Sequence, residues 1–131
     1  MQFSRQSRLL RPGEFTQVFK HPLRTSDMFF RVLARSNEEQ RHRLGMAVAK
    51  KAVPKAVGRN RIKRVIRESF RATLIGQGTN EALDFVVLPT AKAADQSNRV
   101  LSESLTVHWQ KLINKAQGHG TNRPGNSNKD Y

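Results

Sequence analysis

Residues 50 to 71 carry nine basic side chains, Lys50, Lys51, Lys55, Arg59, Arg61, Lys63, Arg64, Arg67 and Arg71, against one acid, Glu68, a local net charge of +8. A segment so cationic cannot be buried whole, yet Ile62, Val65, Ile66, Phe70 and Thr73 recur within it at helical spacing. At about 100° per residue these five gather on one side of a helix, with Asn60, Arg64, Arg67 and Arg71 roughly opposite and Lys63 at the border. A surface helix from about Arg59 to Leu74 is expected, its apolar stripe against a core and its cations held in a row. Like charges at i, i+3 and i, i+4, such as Arg61 with Arg64 and Arg67 with Arg71, repel by roughly 0.2–0.5 kcal/mol per pair. A helix face that only has to be soluble does better with alternating signs, so the tolerated repulsion points to a polyanion that relieves it. Within the helix arginine predominates, and its planar fork suits bidentate phosphate contacts. Asn60, near the helix start, suits either a cap or a hydrogen bond to a nucleotide.

The rest of the chain agrees with a nucleic-acid partner and removes several alternatives. Its 131 residues hold 24 Lys+Arg and 10 Asp+Glu, a formal net charge of +14, with 37% apolar residues and no cysteine. That length normally makes one domain around one core. The absence of cysteine excludes disulfides, thiolate metal sites and cysteine nucleophiles. A mean hydropathy of −0.65 is too polar for a membrane protein, and no apolar stretch approaches the ~18 residues that span a bilayer. Trp109 is the only tryptophan, which argues against a membrane-surface helix. The N-terminus lacks the apolar core of a signal peptide, so a cytoplasmic location is expected.

Phe15, Val18 and Phe19 stand at i, i+3 and i+4 behind Pro12 and Glu14, which predicts a first helix within Leu9 to Lys20, stopped at His21-Pro22. Met28 to Arg35 reads as a strand, and Arg43 to Lys51 as a second, expected to pair antiparallel with it through the polar connection 36–42. Gly45 hints at a bulge or a close approach. The cationic helix is expected to end at Gly76-Gln77-Gly78, and Asp84 to Pro89 is a short apolar burst of buried-strand type. Asp95 and Ser97 are candidate caps for a third helix to about Ala116, with Leu101, Leu105, Trp109 and Leu112 on one face. The fold class is therefore α+β: a small mixed β-sheet with three main helices in the order α-β-β-α-β-α, as a two-layer sandwich. Residues 1–116 form a single nucleic-acid-binding domain in this reading, and Gln117 to Tyr131 a disordered tail.

No constellation for chemistry stands out. A protein nuclease needs clustered carboxylates or paired acid and base groups. The ten acids are scattered, with Asp84 and Asp95 at element starts where capping is the expected role. His21, His42, His108 and His119 show no ligand spacing, and His108 reads as a surface or half-buried side chain. No catalytic residue and no protein-bound metal or cofactor is expected.

Lys50-Lys51 followed by Gly58-Arg59-Asn60-Arg61-Ile62-Lys63-Arg64-Val65-Ile66-Arg67 resembles the signature R-N-x-x-K-R-x-x-R of the protein subunit of bacterial ribonuclease P. The likeness extends in order from the first helix through Leu44 to Lys51 and Asp84-Phe-Val-Val to the late helix, about residues 8 to 116. The resemblance implies a binding module that joins a catalytic RNA to remove the 5′ leader of precursor transfer RNA, the RNA carrying out the hydrolysis with Mg²⁺. It implies RNA contacts at Lys50, Lys51, Lys55, Arg59, Asn60, Arg61, Lys63, Arg64 and Arg67, which Arg71 continues along the helix. A cleft between the first helix and the sheet would hold the single-stranded leader, lined by Phe15 and Phe19, for which core packing is the alternative. It also implies a left-handed β-α-β crossover around the motif helix, against the usual hand. Many family members place a tyrosine in the first long strand, whereas this sequence reads Phe29-Phe30-Arg31-Val32-Leu33. The cleft is then expected to draw on Phe30 and Val32, which share one face by alternation; which face that is stays open. No membrane and no stable protein partner are expected. The alternative is a structural ribosomal or general RNA-binding protein.

Overall fold

The computed structural model of the chain describes residues 10–37, 39, 41–75 and 82–121. Three helices, α1 (Pro12–Val18), α2 (Ala56–Leu74) and α3 (Asn98–Thr121), accompany four strands, β1 (Leu23–Ser26), β2 (Phe30–Ser36), β3 (Arg43–Met46) and β4 (Leu83–Pro89). The strands form one mixed sheet in the order β1-β2-β4-β3. With α2 and α3 on one face, this is the expected α+β sandwich; α1 covers part of the other face. α3 continues past Ala116 to Thr121, into the segment that the sequence reading gives to the tail. The cap glycine at Gly76 and residues 122–131 lie outside the described residues.

Two features of the sheet differ from the sequence reading. An additional strand, β1, forms a hairpin with β2 in the register Leu23↔Ala34 to Ser26↔Arg31. Its turn is held by Asp27, whose Oδ1 accepts the amides of Phe29 and Phe30 at 2.9 Å. The strand starting at Arg43 does not pair antiparallel with β2. It is shorter than expected and runs parallel to β4, with Leu44↔Phe85 in register. Both edges of β2 are taken, one by β1 and the other by β4 across seven residue pairs. Asn37 and His42 instead tie the chain after β2 and before β3 to the start of β4: the Asn37 amide donates to the Ala82 carbonyl, and the Leu83 amide to His42 Nδ1 at 3.0 Å. β3, α2 and β4 thus form the β-α-β unit in which the motif helix is the crossover.

Alternation explains the layers. Phe30, Val32 and Ala34 of β2 and Leu83, Phe85 and Val87 of β4 face the main core. Leu33 and Val86, pointing the other way, pack under Leu10, Phe15 and Val18. β4 is buried on both faces, which is why Phe85 to Leu88 reads as an unbroken apolar run. α3 presents Leu101, Leu105, Trp109 and Leu112, all fully buried as their spacing predicts. Ser97 caps it through Oγ to the Val100 amide, whereas Asp95 lies in a preceding 3₁₀ turn. At the centre the Trp109 ring meets Phe85 and Phe70 edge-on at 5.2 and 5.9 Å, and its Nε1 donates to Ser69 Oγ at 2.9 Å. Truncating a buried aromatic of this kind costs about 3–5 kcal/mol.

His108 is buried, not superficial, with its ring edge-on to Phe30. Its Nδ1 lies 3.2 Å from Thr25 Oγ1, and its Nε2 is 3.2 Å from Asp27 Oδ2 without the alignment of a hydrogen bond. Burial pushes the imidazoles of His108 and His42 below the ordinary value of 6.5, against the pull of the Asp27 and Asp84 carboxylates respectively. Both rings are therefore neutral in the folded chain, while the unfolded chain takes up protons near 6.5. Stability is expected to be complete above that pH and to be lost as the pH falls from about 6.5 through the lower folded values, by at most about 1.4 kcal/mol per pH unit per histidine. Burial alone would raise the Asp27 carboxyl, but the Ser104 hydroxyl and the Phe30 and Phe29 amides hold it below its usual value, so it stays ionised through this window. Thermal melting at a series of pH values from 7.5 to 5 checks this; a Tm independent of pH would contradict it.

Candidate nucleic-acid interface

α2 begins at Ala56 after the N-cap residue Lys55, one turn earlier than the sequence reading places it. Its buried residues are Ile62, Val65, Ile66, Ser69, Phe70 and Leu74, so Thr73, only half-buried, is replaced on the core stripe by Ser69 and Leu74. Asn60 stands in the second turn with an exposed side chain, which removes capping as its role. Arg64 is exposed, while Lys63, Arg67 and Arg71 are half-buried. Long basic side chains in this position lay their methylenes along the apolar surface and keep their heads in water. Lys50, Lys51 and Lys55 are exposed on the loop that leads into the helix.

Two members of the motif also hold the scaffold. Arg59 Nη1 donates to the carbonyls of Val53 and Pro54 at 3.1 and 2.7 Å, folding the preceding loop against the helix. Arg61 donates to Asn98 Oδ1 and, at 3.2 Å, to the Ala94 carbonyl, tying α2 to the start of α3. Their charge still adds to the field of the face, but their guanidinium donors are partly committed. The freest donors on α2 are thus Asn60, Lys63, Arg64 and Arg67, in a row fixed by the stripe beneath them.

The other candidate surface lies where α1 crosses the sheet. Pro12 at the start and a bond from the Arg11 amide to Glu14 Oε1 at 2.7 Å set its N-terminus. Arg35 Nη1 caps its far end by donating to the carbonyls of Gln17 and Lys20, and the chain then turns at His21 with φ 50°. Phe15 is half-buried over Gly45, where a Cβ would come within 2.6 Å of the ring; the glycine is the close approach foreseen from sequence. Phe19 is 48% exposed. Phe30 and Val32 do not join them. Both are completely buried on the opposite face, in the core under α2 and α3, because alternation puts Arg31, Leu33 and Arg35 on the α1 side. The strand residues that flank this cleft are Arg31, exposed, and its register partner Leu88, half-buried.

Beneath α1, Arg43 grips Asp84 with two bonds, Nε to Oδ1 at 2.8 Å and Nη2 to Oδ2 at 2.9 Å, and reaches Glu14 Oε2 with Nη1 at 2.9 Å. Asn37 Nδ2 adds a bond to Asp84 Oδ1 at 2.8 Å. Asp84 is therefore the buried half of an ion pair and not the cap expected of it. The Arg11 amide, working against burial and joined by Arg43, holds the Glu14 carboxyl below its usual value, and the hydrogen bonds to Asp84 raise the Arg43 guanidinium. Among the described residues no three His, Asp or Glu side chains are placed to hold a metal ion, and no helix is long and apolar enough to cross a membrane.

The model of the Ribonuclease P family matches residues 3–113. This chain belongs to that family. It is 45% identical over 116 residues to the ribonuclease P protein component of Salmonella paratyphi A, covering 88% of this chain and 95% of the relative. The Methylococcus capsulatus protein component is 42% identical over 116 residues, covering 88% of each chain. The fold agrees: the solved RNase P protein of Staphylococcus aureus superposes with a TM-score of 0.68 at 30% identity over 81% of this chain and 96% of that one. The Thermotoga maritima RNase P protein gives 0.65 at 30% identity, with the same coverage.

Proposed function

We propose that this chain is the protein component of a ribonuclease P ribonucleoprotein, in which it binds the catalytic RNA through the α2 face and the single-stranded 5′ leader of precursor transfer RNA between α1 and the sheet. The observation that carries this reading is the row of Asn60, Lys63, Arg64 and Arg67, fixed by a buried stripe and opposed locally by Glu68 alone. Lys50, Lys51, Lys55 and Arg71 extend the row, and Arg59 and Arg61 add charge while bracing it. Such a face neutralises phosphates and releases their counterions without reading sequence. In this reading the RNA subunit, with Mg²⁺, performs the endonucleolytic cut, and the protein contributes affinity and position in the cytoplasm, with no catalytic residue of its own.

The test is to recover the full chain with its bound nucleic acid at moderate salt, sequence that RNA and assay the same material for cleavage of precursor transfer RNA in Mg²⁺. One dominant structured RNA, with cleavage that survives protease better than ribonuclease at high Mg²⁺, is the expected result. Ribosomal RNA or mixed nucleic acid without cleavage would replace this reading with a general RNA-binding role. For the cleft, Phe15→Leu and Phe19→Leu are expected to lower affinity for leader-bearing substrate by about 1–3 kcal/mol where a base stacks on the ring, while hardly changing affinity for mature transfer RNA. Equal losses for both RNAs, with a lower Tm, would assign the rings to core packing.

A further inference from the structure

Away from α2 the chain carries a second concentration of positive charge, at the edge of the sheet. An open groove of about 670 Å³ between β1, β2 and α3 is lined by Arg24, Arg31, Lys111 and Lys115, with Ser26 and Asn114 as neutral hydrogen-bonding groups. Among the described residues no carboxylate lines it. The neighbouring acid, Asp27, is committed to the Phe29 and Phe30 amides, to Ser104 Oγ at 2.6 Å and to the vicinity of His108. Among the described residues Arg24, Arg31 and Lys111 are exposed and take part in no ion pair.

The groove wraps around edge strand β1. Leu23 packs on the main core and Thr25 lies against His108, so alternation turns Arg24 and Ser26 to the face that α1 covers. There Arg24 is registered against Leu33 and Ser26 against Arg31, both on that face. Lys111, Asn114 and Lys115 come from α3, in the layer behind. Lys115 Nζ donates to the Arg24 carbonyl at 2.8 Å, which holds its ammonium at the rim of the strand. Because α1 lies over β2 and β4, and β1 is the next strand outward, Arg31 belongs both to the flank of the cleft and to this groove.

We propose that the β1 edge is a distal phosphate site, in which Arg24, Arg31, Lys111 and Lys115 bind the phosphodiester groups of single-stranded RNA that continues out of the α1 cleft. It rests on the assignment of the cleft to the leader made above. Among the described residues no aromatic side chain lines the groove for a base to stack on, so its ligand chemistry is phosphate and its selectivity is for leader length rather than leader sequence. Its lining among the described residues holds no bulky apolar side chain of the kind that inserts into a lipid surface.

The test uses holoenzyme reconstituted from the full chain, with Arg24→Ala/Lys111→Ala, and two precursor transfer RNAs, one whose leader ends within the cleft and one whose leader reaches past β1. The double variant is expected to bind the long-leader RNA about fivefold more weakly, with a salt slope lower by about 0.7 for each phosphate no longer neutralised, and to bind the short-leader RNA as the parent does. Thermal melting confirms that the variant folds. Equal weakening for both leaders would mean that the cations meet some other part of the RNA, and overturns the site, as does no change for either. Phe19→Leu, measured alongside, separates the two readings. If it weakens both leader-bearing RNAs and the groove variant is silent, the groove alone is wrong; if Phe19→Leu is itself silent, the cleft assignment fails and takes this site with it.

Discussion

Arg64→Ala/Arg67→Ala is expected to weaken binding of the catalytic RNA by roughly tenfold or more per arginine at moderate salt, since a hydrogen bond to a charged group contributes about 1.5–3 kcal/mol. The slope of log affinity against log salt should fall by about 0.7–0.9 for each phosphate left without its arginine. Tm should stay close to that of the parent, because Arg64 is exposed and the removed charges repel Arg61, Lys63 and Arg71. Arg59→Ala and Arg61→Ala are different experiments. Those side chains hold the loop at Val53 and Pro54 and the start of α3, so their loss combines weaker binding with a lower Tm. A salt slope unchanged in the Arg64/Arg67 variant would show these two arginines to be a solvated surface without a phosphate partner.

What was legible in the sequence follows the range of the interactions concerned. The motif helix, α3 and β4 announce themselves because their burial is periodic within one element: the stripe of Ile62, Val65, Ile66 and Phe70, the Leu101 to Leu112 series, and the unbroken run from Leu83 to Val87 are all buried. Strand pairing is not local, and there the sequence reading failed. β1 is four residues long with only Leu23 and Thr25 partly covered, too little apolar signal to stand out from a loop. The parallel β3–β4 pair depends on β1 and β4 having taken both sides of β2, which no single segment records. The face of Phe30 and Val32 could have been read further. Their alternation partners Arg31 and Arg35 cannot both point into a core, so the face carrying Phe30, Val32 and Ala34 is the buried one. The roles of Arg59 and Arg61 as braces, by contrast, depend on carbonyls and an amide brought near only by the fold.

The least legible and most consequential contact is that between Arg43 and Asp84, 41 residues apart in the chain. Asp84 has 8% of its side chain exposed, and its carboxylate is answered by the two Arg43 donors and Asn37. Arg43→Leu leaves that carboxylate in the sheet with one neutral partner, and the expected loss of stability is about 3–5 kcal/mol. Replacing both residues by apolar ones, as in Arg43→Leu/Asp84→Leu, is expected to recover most of the loss, because the cost lies in the orphaned charge rather than in the absence of the pair. Denaturant titration of the two variants decides the matter; a double variant as unstable as the single would mean that packing, not charge, sets the cost. The same pair of proteins separates stability from binding. Arg43 Nη1 is also the bond from the sheet to Glu14, whose other oxygen fixes the first turn of α1, so even the restabilised double variant lacks the tie that holds α1 and Phe15 over Gly45. It should therefore regain its melting midpoint while still binding leader-bearing RNA more weakly than the parent, relative to mature transfer RNA. Recovery of both together would show that the packing of Leu10, Phe15 and Val18 on Leu33 and Val86 is enough to hold α1 in place.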